Sequence, residues 1–163
     1  MKLSHILDHL EQLAPPVLQE SYDNAGLLTG NRDMEISGVL VALDCIESII
    51  DEAISKKCNL VVAHHPVIFS GLKKINGSNY VERTVIRAIK NDIAIYAIHT
   101  NLDNVQEGVN AKIAVLLGLT ESRVLVPKTG LLRKLVAFCP AENAEAIRVA
   151  LFAAGAGHIG NYD

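Results

Sequence analysis

From residue 38 to residue 118 the chain alternates short apolar runs with longer segments whose apolar residues recur every three or four positions. Few folds accept that alternation. Residues 38–43, the run beginning at Leu60 and residues 93–98 are rich in Val, Ile and Leu, and read as strands. Between and after them, residues 46–56 repeat Ile46, Ile49, Ile50, Ala53 and Ile54, residues 80–90 place Val81, Val85, Ile86 and Ile89 on one buried stripe, and residues 109–117 close at Gly118. These read as helices. Strands alternating with helices of this length predict right-handed βαβ units on a parallel sheet, an α/β fold. Ligands of such sheets bind beyond the carboxyl ends of the strands.

Ahead of this core, Leu3, Ile6, Leu7, Leu10 and Leu13 recur at helical spacing until Pro15-Pro16 stops the helix. His5 and His9 lie one turn apart on it, with no carboxylate or third ligand beside them, and read as solvated residues. Tyr22-Asp23-Asn24-Ala25-Gly26 is a polar turn leading into the apolar pair Leu27-Leu28.

The three predicted strands end in chemically capable residues: Asp44 after the first, His64 and His65 after the second, His99 and Asp103 after the third. A strand that ends in two imidazoles followed by Pro66 delivers ligands to a site, and the proline biases His65 towards extended backbone. Successive side chains on a regular strand point to opposite faces. The pair is therefore expected to face two ions, or one ion and a substrate. One core histidine beside a solvated one is the plainer alternative, and the convergence of polar residues on one rim weighs against it. Imidazole nitrogens with a carboxylate suit zinc, iron or manganese.

Formal net charge is -3, and the basic residues form scattered pairs such as Lys56-Lys57 and Lys73-Lys74. That pattern does not call for nucleic acid. Cys45, Cys58 and Cys139 show no Cys-x-x-Cys spacing and read as reduced, mostly buried thiols of a cytoplasmic protein. The N-terminus lacks the apolar core of a secretory signal, and no uncharged apolar run approaches membrane-spanning length, so no membrane partner is expected.

Beyond residue 129 the pattern changes. Residues 131–139 read as a strand, residues 141–154 as an alanine-rich helix, and residues 155–160 as a glycine turn into another extended segment. A βαβ unit that stops as its second strand begins has not buried its helix. The expectation is a core domain over residues 1–129 and the truncated beginning of a second domain over residues 130–163.

Tyr22-Asp23-Asn24-Ala25-Gly26-Leu27, Ala63-His64-His65-Pro66 and His99-Thr100-Asn101-Leu102-Asp103, in that order, resemble the Nif-three-like family, the GTP cyclohydrolase I type 2 homologs. The resemblance covers the whole chain. It implies a dinuclear metal site at the C-terminal rim of an α/β domain, in a toroidal homohexamer, with residues 130–163 opening an inserted ferredoxin-like domain related to the PII and CutA folds. By position, His64 and His65 would each bind a different divalent ion and Asp103 one of them, while His99 would lie at the rim as an outer-shell or substrate contact and Tyr22-Asp23-Asn24 would line the cavity; His99 or Asp23 would shuttle protons in catalysis. The family's C-terminal histidine and bridging glutamate fall beyond this chain, and His158 does not match that position. Tyr22 stands where many relatives have tryptophan, and Glu107-Gly108 replaces a commoner glycine pair.

The resemblance thus implies a hydrolase of the cyclohydrolase type, in which a metal-activated water attacks an electron-poor ring carbon or a similar centre of a small molecule or nucleotide. The competing expectation is a non-catalytic metal-binding toroidal scaffold or regulatory protein.

Overall fold

A computed structural model describes residues 1–126 and 134–157. The chain divides into two compact units, Met1–Ser122 and Arg123–Asp163. The first is a four-stranded sheet with helices on both faces. Its elements are α1 (Leu3–Leu13), β1 (Gly26–Thr29), β2 (Val39–Ala42), α2 (Glu47–Ser55), β3 (Leu60–Ala63), α3 (Tyr80–Lys90), β4 (Ala94–Ala97), α4 (Thr100–Asp103) and α5 (Val109–Leu116).

The sheet order is β1-β4-β3-β2, with β2, β3 and β4 parallel as expected. β1 is an addition that sequence periodicity did not predict: it pairs antiparallel with β4, so the sheet is mixed. Gly30 ends it with φ +101, and a Cβ there would lie 2.7 Å from that of Ala94, so only glycine fits so close to β4.

Both central strands are buried along their whole length, and their side chains alternate between two apolar layers. Val61 and Ala63 of β3 join Ile50, Ala53, Val85 and Ala88 under α2 and α3. Leu60 and Val62 join Leu3, Leu7 and Tyr96 under α1. Fully burying each of these leucines contributes about 1.5–3 kcal/mol. At the rims of the helices the periodicity overreaches, since Leu13 and Ile89 are both exposed. Their neighbours Ala14 and Ala88 are fully buried, so both side chains are turned away from the core rather than placed past its end.

α3 begins with a reciprocal cap. The Asn79 side chain accepts from the Glu82 backbone N–H, and the Glu82 carboxylate accepts from the backbone N–H groups of Asn76 and Ser78 and from the Asn79 amide. This organises the loop between β3 and α3. Gly108 precedes α5, and a Cβ there would meet the Leu102 carbonyl oxygen at 2.3 Å. α5 itself buries none of its residues.

In the second unit, a 3-10 turn (Ala141–Asn143) leads into α6 (Ala144–Ala153), matching the expected alanine-rich helix. The expected strand over residues 131–139 is corrected for its described part. Residues 134–139 have no regular structure, with Phe138 and Leu135 exposed, because an apolar run without a neighbouring ladder has nothing to pair with. Residues 131–133 and His158 lie outside the described residues. Among the described residues no helix is long and apolar enough to cross a membrane.

Candidate metal centre

Strand β3 ends at Ala63, so His64 and His65 lie just past the regular ladder rather than within it. Their backbone N–H groups still bond the carbonyls of Ala42 and Leu43, which keeps them beside the end of β2. Released from strict pleating, the two rings do not point to opposite faces. Their centroids are 4.9 Å apart, and His99, two residues past the end of β4, lies 5.2 Å from the His64 ring and 5.5 Å from that of His65. One ring nitrogen from each histidine lies within 4.8 Å of the other two.

Each imidazole is held through Nδ1. His64 Nδ1–H donates to the carbonyl of Ile98 at 2.9 Å. A carbonyl only accepts, so this bond sets the tautomer. His65 Nδ1 bonds Asp44 Oδ1 at 2.7 Å, and His99 Nδ1 bonds Asp23 Oδ1 at 2.7 Å. With Nδ1 tied off, the Nε2 of each ring in its neutral form keeps its lone pair, the arrangement by which carboxylates and carbonyls orient metal-ligating histidines.

The two carboxylate partners differ. Asp44 is on the surface, whereas the Asp23 side chain is fully buried. Burial pushes the Asp23 carboxyl up, but hydrogen bonds from His99, the Thr100 hydroxyl and the backbone N–H groups of Asn24 and Thr100 outweigh it and hold the group below the usual carboxylate range. Asp23 is thus an anion held behind His99.

Asp103, at the end of the short α4, places Oδ1 3.7 Å from His64 Nε2. That is too long for a hydrogen bond. Two donors each about 2.1 Å from one ion stand roughly 3–3.5 Å apart at right or tetrahedral angles, so 3.7 Å is a few tenths of an ångström wider than the bite of a shared metal. Chemically the residues fit a first-row divalent ion. Cys45, next to Asp44, is not part of the donor set: burial pushes its thiol up to about 12, which keeps it protonated. His5 and His9 are exposed on α1, as their spacing without partners suggested.

The candidate residues named from the sequence therefore come together, with one change of emphasis. His99 stands in the histidine group rather than outside it, and Asp23 sits behind His99 with its carboxylate shut off from solvent. One contributor escaped sequence reasoning: Thr100 clamps Asp23. The side-chain amide of Asn24 ties this loop to the Ile68 carbonyl at 2.6 Å. Thr100 follows His99 directly, and that adjacency was the available signal.

The chain matches the family model of Duf34/NIF3 (NGG1p interacting factor 3) over residues 1–162. It is 45% identical over 158 residues to a Bacillus subtilis protein named GTP cyclohydrolase 1 type 2 homolog, covering 96% of this chain and 42% of that protein. A Mycobacterium tuberculosis protein of the same name is 36% identical over 164 residues, covering 99% and 43%. The chain spans less than half the length of these curated relatives. Among solved structures, a Bacillus cereus protein related to NIF3 superposes with a TM-score of 0.75 at 38% identity, covering 99% of this chain and 45% of that one. Reduced HcgD from Methanocaldococcus jannaschii gives 0.72 at 32% identity, covering 77% and 50%. With the ordered motifs, the sheet and the histidine group all in agreement, the chain belongs to the Duf34/NIF3 family.

Proposed function

We propose that the chain carries part of the dinuclear metal centre of a metal-dependent hydrolase of the cyclohydrolase type. The observation that carries this reading is the pair His64 and His65, each fixed through Nδ1, with Asp103 3.7 Å from His64 Nε2 and the His99 ring beside them. The names of the relatives, each a GTP cyclohydrolase 1 type 2 homolog, support the reaction class.

His64 and His65 would each hold a different ion, and Asp103 would share the one at His64. When bound, such ions supply Lewis-acid polarisation of an oxygen and a water acidic enough to attack near neutral pH. His99 handles a proton at Nε2, with the buried Asp23 anion fixing its ring. Asp23 itself is a positioning residue, since its closed-off carboxylate reaches substrate only through His99. A substrate carbon attacked in this way belongs to a small molecule or a nucleotide. The division of the chain after Ser122 supports an inserted domain beginning near residue 130. The assembly in this reading is a homohexameric ring, and light scattering should return the mass of six chains.

The test joins metal analysis by plasma emission to turnover on a nucleotide and phosphoester panel. His64→Ala and Asp103→Ala should lose metal and turnover together, while His99→Ala should keep metal and lose turnover. Turnover in a metal-free preparation would overturn the proposal. Metal uptake without turnover on any member of the panel would make the chain a metal-binding scaffold instead.

A further inference from the structure

We propose that Phe69 is a stacking wall of the metal site, against which a planar heteroaromatic ring of the substrate lies beside the histidines. This rests on the hydrolase reading above and adds the chemical class of its substrate.

Phe69 comes four residues after His65, on a backbone anchored from two sides. Val67 is buried in the layer under α2 and α3, and Ile68 packs against that layer. The Ile68 carbonyl accepts the Asn24 amide at 2.6 Å, which ties it to the loop carrying Asp23. Phe69 does not join that layer and remains 51% exposed.

The Phe69 ring centroid lies 6.4 Å from that of His99, with the planes 79° apart. This edge-to-face contact orients the ring without covering it. An apolar aromatic surface beside an otherwise polar group of donors adds nothing to the binding of a phosphate or carboxylate. A flat ring is the ligand it suits, because every heteroaromatic base has a face to stack. Phe69 would then hold such a ring beside the imidazole that handles the proton.

The experiment is calorimetric titration of the full chain, zinc-loaded and zinc-free, with guanosine 5′-monophosphate and with ribose 5-phosphate, which lacks the base. The wild type should bind the nucleotide about tenfold or more tightly than the sugar phosphate. Phe69→Ala should erase that difference while keeping zinc content and the circular dichroism spectrum, Phe69→Trp should restore it, and the sugar phosphate should bind all three alike. A difference that survives in Phe69→Ala, or a zinc-loaded wild type that does not favour the base, overturns the stacking wall and leaves the metal reading standing. A chain that takes up no zinc overturns the metal reading, and the zinc-free titration still decides whether Phe69 recognises the base.

Discussion

His99 Nδ1 and Asp23 Oδ1 are 2.7 Å apart, joining residues 76 positions distant in sequence across the rim of the sheet. The aspartate is closed off from solvent, the histidine is not, and among the described residues the other polar contacts of the carboxylate are to Asn24 and Thr100. The pair therefore has one free terminus, the Nε2 of His99.

The first prediction concerns that tautomer. Nitrogen NMR of the chelated wild type should report His99 with its proton on Nδ1. In Asp23→Asn the carboxamide can present either an oxygen or an N–H group, and the Nε2–H form should appear. An unchanged His99 spectrum in Asp23→Asn would sink the assignment.

Stability in acid follows from the same carboxylate. Its folded-state pKa is depressed, so its contribution is fully present above the unfolded value, near pH 4, and disappears as pH falls through the lower folded value. Chemical denaturation of metal-free protein should show wild type losing stability over that window, and Asp23→Asn should show a shallower loss. Equal acid limbs in the two proteins would mean that Asp23 is not held as an anion.

A third prediction tests the aim of the rings. His65→Ala and His64→Ala should weaken zinc binding at least tenfold, and His5→Ala, on the exposed face of α1, should leave it unchanged. Replacing Asp44, the partner of His65 Nδ1, should cost about 10- to 100-fold in affinity without removing a ligand. Competition with a chromogenic chelator reads all four.

Packing near Asp103 gives the fourth. Gly108→Ala forces a methyl group onto the Leu102 carbonyl, which must move, and should destabilise the chain by about 1–3 kcal/mol. Asn79→Ala, which removes the side-chain acceptor at the start of α3, should cost about 1 kcal/mol. Urea titrations distinguish the two, because only Gly108→Ala should also disturb zinc binding through α4.

Long amphipathic segments were legible from the sequence. Tyr80–Lys90 and Leu3–Leu13 fall where their periodicity ends, because Asn79 and Pro15 punctuate them. The parallel strands were legible as well, since Leu60–Ala63 and Ala94–Ala97 are buried on both faces and therefore apolar throughout. β1 was not legible: Leu27-Leu28 is too short to show alternation, and its pairing with β4 is a tertiary fact. At the site, residue identity was readable and direction was not. Alternation predicts that His64 and His65 diverge, but it holds only while the strand continues, and the strand stops at Ala63.

The contact between His64 and the Ile98 carbonyl also ties the site to the pairing of β3 with β4. Ile98 is the residue immediately before His99, so the same short stretch of backbone anchors one ring and carries the next. A slip of one residue between these strands would reverse the facing of the side chains and dissolve the donor set without altering a single ligand. The alignment of two buried strands is thus the ruler by which the bite of the metal centre is measured.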